Sequence, residues 1–203
     1  LYAMLRAGSF RAGLYTSPHL EVFRERIRVS ETAKDPVADP ELEWISETDW
    51  AALVEEFQPI LENGRPQGLT YFEIVTALAF VYFSRRQVDL AVVEVGMGGR
   101  RDATNILEPT AVIFGPIDID HADVLGKNPV QIAKEKAGII KPCQTVVTVP
   151  QPPEVLEVLR DACRKQGSTL VVCGEDVRVT VSGHSANGLQ MTVLGLRGMY
   201  QSL

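Results

Sequence analysis

Cysteine is scarce in this chain of 203 residues: Cys143, Cys163 and Cys173 are the whole complement. An odd count, with no C-x-x-C spacing and no paired histidine motif, points to neither a disulfide framework nor a zinc site, so reduced and buried thiols are expected. Also missing is any apolar run of the about 18 residues that a bilayer span needs, since the longest candidates are broken by Asp89, Glu94 and Gly96. Basic charge is in deficit, with 20 Lys and Arg against 26 Asp and Glu and a formal charge of −6. That balance leaves no broad cationic face for nucleic-acid phosphates. The expectation is a cytoplasmic protein with no nucleic-acid or membrane partner, acting as a monomer. No initiator Met and no basic-then-apolar leader opens the chain, and Leu1 to Gly8 read as the middle of a helix. A phosphate-cradling G-x-x-x-x-G-K-[ST] loop is absent too: Gly126-Lys127-Asn128 has neither the upstream Gly nor the hydroxyl residue. A nucleotide reading must therefore hold the triphosphate elsewhere.

What remains is a globular composition, 45% hydrophobic and 23% charged, in a chain long enough for one sizeable domain. Leu1, Met4 and Leu5 predict a helix over 1–7 stopped at Gly8, then an extended run 11–15 and a turn at Thr16-Ser17-Pro18-His19. Residues 30–45, with Pro36, Asp39 and Pro40, read as a long surface loop. Thr48 or Asp49 would cap a helix burying Trp50, Leu53, Val54, Phe57, Ile60 and Leu61 and ending at Asn63-Gly64. A second helix over 70–83 is apolar nearly all round, which predicts burial between layers. The runs 88–95, 110–117 and 145–149 have the continuous Val, Leu, Ile and Ala content of parallel strands covered on both faces. Helices are expected from Pro129 to Gly138 and over 153–166, with a strand at 168–173. Residues 177–182 and 189–194 alternate like an antiparallel hairpin. The fold class is α/β: a mostly parallel central sheet with flanking helices, and a small hairpin near the C-terminus.

In open α/β sheets ligands bind beyond the carboxyl ends of the strands. Strand 88–95 carries Glu94 next to its end and runs into Gly96-Met97-Gly98-Gly99-Arg100-Arg101-Asp102-Ala103-Thr104-Asn105. A carboxylate in an apolar strand is costly unless it meets a cation, a metal or a donor network, so Glu94 is either a ligand or paired with Arg100 or Arg101. Three glycines let backbone approach a ligand closely but form no dinucleotide fingerprint. Strand 110–117 opens into Asp118, Asp120, His121 and Asp123, a set that suits a hard divalent cation and equally an acidic surface loop. Lys134-Glu135-Lys136 is a solvated charge cluster or part of that site.

Taken together, Gly13-Leu14-Tyr15-Thr16-Ser17-Pro18-His19-Leu20, Glu25-Arg26-Ile27, Thr70-x-Phe72-Glu73, Glu94 through Asn105, Asp120-His121-x-x-x-Leu125-Gly126 and Glu135-Lys136-Ala137-Gly138-Ile139-Ile140-Lys141 resemble the folylpolyglutamate synthase/dihydrofolate synthase family. That family belongs to the Mur ligase superfamily. The resemblance implies an ATP-dependent amide ligase that uses Mg²⁺ to join L-glutamate to dihydropteroate or a folate through an acyl phosphate. It implies Glu94 and His121 as Mg²⁺ ligands, and Lys136 as a carbamate that serves a second ion. Thr16, Ser17, Pro18 and His19 would lie near the folate substrate, and Phe72, Asp102 and Ala103 would line its pterin side. In the family a P-loop lies one helix upstream of the Thr-Ser-Pro-His strand. The expectation is therefore that residues 1–203 are an internal part of the central ATP-binding domain, without the P-loop and the glutamate-binding domain and inactive alone. Another Mur-type ligase of peptidoglycan synthesis and a non-catalytic paralogue without the P-loop are the alternative readings. Ile113-Phe114-Gly115-Pro116-Ile117 and the longer, Pro-rich 33–44 segment depart from the family pattern.

Overall fold

Short strands of small and β-branched residues supply the frame, and helices cover them. A computed structural model describes residues 1–30, 40–63, 68–119, 122–185 and 188–201. The chain divides into a first unit, Leu1–Met97 with Asp102–Ile106, and a second, Gly98–Arg101 with Leu107–Leu203.

In the first unit, helix α1 (Tyr2–Ala7) leads into β1 (Ala12–Tyr15), which pairs antiparallel with β2 (Ile27–Val29). Helices α2 (Glu47–Asn63) and α3 (Tyr71–Arg85) precede β3 (Leu90–Val93), which lies parallel to β1, giving the order β2-β1-β3. Tyr15, Ile27, Ile45, Leu53, Val75, Leu78 and Ala79 form the buried centre. Helix α3 starts where the sequence signature Thr-x-x-Glu puts it: Thr70 Oγ1 accepts from the Glu73 amide at 3.2 Å, and Glu73 Oε2 accepts from the Thr70 amide at 2.7 Å.

Several sequence expectations for this unit need correction. The cap of α2 is Ser46, whose Oγ accepts from the Asp49 amide at 3.0 Å, rather than Thr48 or Asp49. Only part of its apolar stripe faces inward: Leu53 is buried, but Val54 and Ile60 are exposed, because the helix packs along a single narrow line. Of the expected polar loop 30–45, residues 31–39 lie outside the described residues. Its ends are not surface: Ser30, Glu43 and Ile45 are buried, and the Ile45 amide donates to the Ile27 carbonyl at 2.9 Å. Strand β3 is shorter than the run 88–95 and is not covered on both faces, with Leu90 and Ala91 exposed.

In the second unit, β4 (Ala111–Phe114), helices α4 (Ala122–Leu125) and α5 (Pro129–Lys136), β5 (Thr145–Thr148), α6 (Pro153–Gln166) and β6 (Thr169–Val172) follow one another. The strands pair in parallel, as expected, in the order β4-β5-β6. However, β4 and β5 are shorter than the runs 110–117 and 145–149 and are not covered on both faces, since burial alternates along them and Ala111, Ile113 and Thr145 are exposed. Asn128 caps α5, its side-chain oxygen accepting from the Gln131 amide at 3.0 Å, with Pro129 in the first turn. Val155, Leu156, Leu159 and Cys163 recur at helical spacing and form the buried face of α6, which ends on left-handed Gly167. The C-terminal hairpin is larger than expected. Strands β7 (Arg178–Ser185) and β8 (Gly188–Gly195) are joined by a third, β9 (Gly198–Gln201). All three cysteines are free, but only Cys163 is buried; Cys143 is exposed, against the expectation of buried thiols.

Leu159 is fully buried, so Leu159→Ala is expected to remove about 2–5 kcal/mol of stability. Denaturant unfolding should show a lower midpoint at an unchanged slope.

Candidate active site

The residues after β1 and after β3 are brought together by their strands. Parallel pairing of β1 with β3 sets Tyr15 against Val93, and the Glu94 amide continues the ladder by donating to the Tyr15 carbonyl at 2.8 Å. Glu94 is thus the first residue beyond the strand. Its Oε2 accepts from the Ser17 amide at 2.8 Å. The desolvation cost expected for a carboxylate inside the strand does not arise, because Glu94 is exposed. Its other oxygen has no hydrogen-bond partner among the described residues.

Thr16, Ser17, Pro18 and His19 form the turn itself, with a cis peptide between Ser17 and Pro18. The Thr16 amide donates to the Arg26 carbonyl at 3.0 Å. Beyond the turn the chain wraps round the Glu25 carboxylate, which accepts from the amides of Leu20, Glu21 and Val22 at 2.9, 2.8 and 2.6 Å. These three donors stabilise the charged form and lower the Glu25 pKa to about 2. Glu25 opens a motif visible in the sequence, but its part in holding the loop has no signature there, because its partners are backbone groups. Arg26 Nε donates to His19 Nδ1 at 2.9 Å, a contact that sequence reading missed.

Phe72 lies in the first turn of α3, its ring 6.0 Å from that of Tyr15. The ring covers Gly96 so closely that an added Cβ would lie 2.4 Å from its tip. Below it, the Thr76 hydroxyl donates to the Phe72 carbonyl at 2.7 Å and meets the Tyr15 hydroxyl at 2.9 Å. Burial pushes the Tyr15 phenol up. Asp102 closes its own loop: one oxygen accepts from the Met97 amide at 2.8 Å, the other from the Thr104 amide at 2.9 Å. Ala103 starts the short 3-10 helix that follows. So Thr16, Ser17, Pro18, His19, Phe72, Glu94, Asp102 and Ala103 all belong to the first unit.

Lys136 belongs to the second unit, as the half-buried last residue of α5. There the glycine-rich segment is seated backbone against backbone. The Arg100 amide donates to the Glu135 carbonyl at 3.0 Å. A Cβ on Gly99 would lie 2.6 Å from the Glu135 carbonyl oxygen, and one on Gly138 would lie 2.7 Å from the Arg100 Cα. Of the three glycines of the 96–99 segment, Gly99 thus lies against α5, whereas Gly96 lies against the Phe72 ring and Gly98 against Leu125. Asp120 and His121 lie outside the described residues. Among the described residues no group of three or more His, Cys, Asp or Glu could hold a metal ion, and no helix is long and apolar enough to cross a membrane.

Parallel strands whose carboxyl ends carry a carboxylate and a Thr-Ser-Pro-His turn, with a separate three-stranded antiparallel sheet, define a class. Residues 46–191 match the Mur ligase middle domain, and the chain belongs to that family. Within it the chain is similar to the folylpolyglutamate and dihydrofolate synthases. It is 38% identical over 173 residues to dihydrofolate synthase/folylpolyglutamate synthase of Bacillus subtilis, covering 82% of this chain and 37% of the relative. Among solved structures, an FPGS–AMPPCP complex superposes with a TM-score of 0.87 at 33% identity, covering 98% of this chain and 48% of that one. An FPGS–AMPPCP–folate complex does so with a TM-score of 0.84 at 33% identity, covering 98% of this chain and 47% of that one. The chain thus spans less than half the length of the proteins it matches.

Two substitutions probe this region. Glu25 has a folded pKa of about 2 against an ordinary 4.5, so its stabilisation is complete above the ordinary value and fades as pH falls through the folded one. Glu25→Gln is expected to lower the melting temperature at pH 7, with the gap from the parent protein closing as pH approaches about 2. Gly99→Ala forces α5 and the glycine segment apart, and is expected to cost about 1–3 kcal/mol in denaturant unfolding.

Proposed function

We propose that this chain supplies the central ATP-binding domain of a ligase that adds L-glutamate to dihydropteroate or a folate. The carrying observation is the hydrogen bond between Ser17 and Glu94, which joins the substrate-side turn to the strand-end carboxylate in one unit. Likeness to folylpolyglutamate synthase structures holding an ATP analogue and folate supports the reading. We further propose that the P-loop and the glutamate-binding domain of that enzyme are supplied by sequence outside these residues, and that it works as a cytoplasmic monomer.

The chemistry proposed is transfer of the ATP γ-phosphoryl group to the substrate carboxylate, then attack of the glutamate amine on the acyl phosphate with release of phosphate. Mg²⁺, when bound, neutralises charge on the phosphate oxygens. Glu94 fits such an ion as one ligand among waters and phosphates, because it is exposed and one of its oxygens is open while the Ser17 amide fixes the other. His121 is proposed as a further ligand. Lys136 as an ammonium cannot ligate a metal, whereas its carbamate offers carboxylate-like oxygens. Thr16, Ser17, Pro18 and His19 would shape the substrate side of the turn, and Phe72, Asp102 and Ala103 the pterin side, where the Phe72 ring presents a flat apolar surface.

The test is ADP release by the full-length protein containing this sequence, given glutamate and either dihydropteroate or tetrahydrofolate. Release that depends on one of these acids is expected; release with neither would overturn the proposal. Glu94→Gln is expected to lower kcat/KM by about 100-fold at limiting Mg²⁺, and unchanged activity would remove its metal role. The 203-residue chain alone, having no G-x-x-x-x-G-K-[ST] sequence, is expected to release no ADP.

A further inference from the structure

The turn after β1 presents few free donors. The Thr16 amide is taken by the Arg26 carbonyl and the Ser17 amide by Glu94. Pro18 has no N–H, and the amides of Leu20, Glu21 and Val22 end on Glu25. Besides the hydroxyls of Thr16 and Ser17 and the His19 amide, the turn carries one ring donor, the imidazole of His19, half-buried and engaged on one side only.

That engagement determines its chemistry. A guanidinium carries only donors, so Arg26 Nε, 2.9 Å from His19 Nδ1, requires a bare lone pair on Nδ1. The neutral ring must then carry its proton on Nε2, which has no hydrogen-bond partner among the described residues. Arg26 is itself held. Its guanidinium carbon sits 5.8 Å from the centre of the Phe23 ring, and its backbone carbonyl is bound to the turn. Phe23 is in turn packed on Trp50, with ring centres 4.8 Å apart, and meets the His19 ring edge-on at 6.1 Å. Both the tautomer and the plane of His19 are therefore set by its neighbours.

We propose that Arg26 is a positioning residue: it fixes His19 as the Nε2–H tautomer, so that the turn offers one oriented N–H donor to an oxygen acceptor on the pteroate-type substrate. The assignment of substrate rests on the function proposed above; the tautomer does not.

Two measurements on the full-length protein separate these levels. The first is ¹⁵N-histidine NMR. This chain contributes three histidines, and the His19 signals are identified by their loss in His19→Gln. A bare Nδ1 and a protonated Nε2 are expected for His19, with Arg26→Met giving a mixture of tautomers. A protonated Nδ1 in the parent protein, or an identical pattern in Arg26→Met, would overturn the proposal whatever the enzyme acts on. The second is a double-mutant cycle read in ADP release. Arg26→Met is expected to raise KM for the pteridine acid about ten-fold with a smaller change in kcat, and Arg26→Lys to recover part of that loss. In a His19→Gln background Arg26→Met is expected to have no further effect. Equal losses in both backgrounds would show that Arg26 acts independently of His19 and would overturn the positioning role. If neither pteridine acid elicits turnover while the NMR result stands, the functional reading fails and the tautomer assignment survives.

Discussion

The placement of the two loops that follow β1 and β3 depends on one hydrogen bond between groups 77 residues apart, from the Ser17 amide to the Glu94 carboxylate. Parallel pairing of β1 and β3 fixes the two strand ends side by side, and the bond extends that register by one more link into the loops. A carboxylate that has left the sheet is no longer oriented by the pleat, so its direction comes from this single donor. Because the acceptor is a carboxylate, the bond is stronger than one between neutral groups. It leaves the other carboxylate oxygen without a hydrogen-bond partner among the described residues.

Around that bond the loop is shaped by polar groups and the floor by aromatic ones. Glu25 collects three amides and bends the chain into a 3-10 turn. Phe72 and Tyr15 stack obliquely beneath, tied through Thr76, which bonds to both. In the second unit the logic is reversed. Gly99 and Gly138 work by what they omit, letting one backbone rest on another at distances no side chain would allow.

The elements readable from sequence are those whose local signals agree with their packing. Thr70 and Glu73 announce the start of α3, Asn128-Pro129 that of α5, and the apolar runs of β4, β5 and β6 reflect strands paired in parallel. Misreadings occurred where local pattern and burial part. Ile45 sits in a polar stretch yet is buried by pairing with Ile27, while Val54 and Ile60 lie beside the Trp50, Leu53 and Phe57 line along which α2 packs. Strand β9 carries no alternation of its own and exists because β8 offers it an edge. The candidate site was legible as motifs through a family resemblance. The bonds joining those motifs were not, since Ser17, Leu20, Glu21 and Val22 act through backbone amides that any residue but proline supplies.

The same fact frees the outer surface of the loop. Leu20, 93% exposed, and Val22, 39% exposed, give Glu25 only their main-chain N–H groups. Their side chains can be exchanged for almost anything without unmaking the scaffold on which the Thr-Ser-Pro-His turn rests. A lineage could thus vary what this rim presents to solvent or ligand while the carboxylate at its centre keeps the fold of the loop constant.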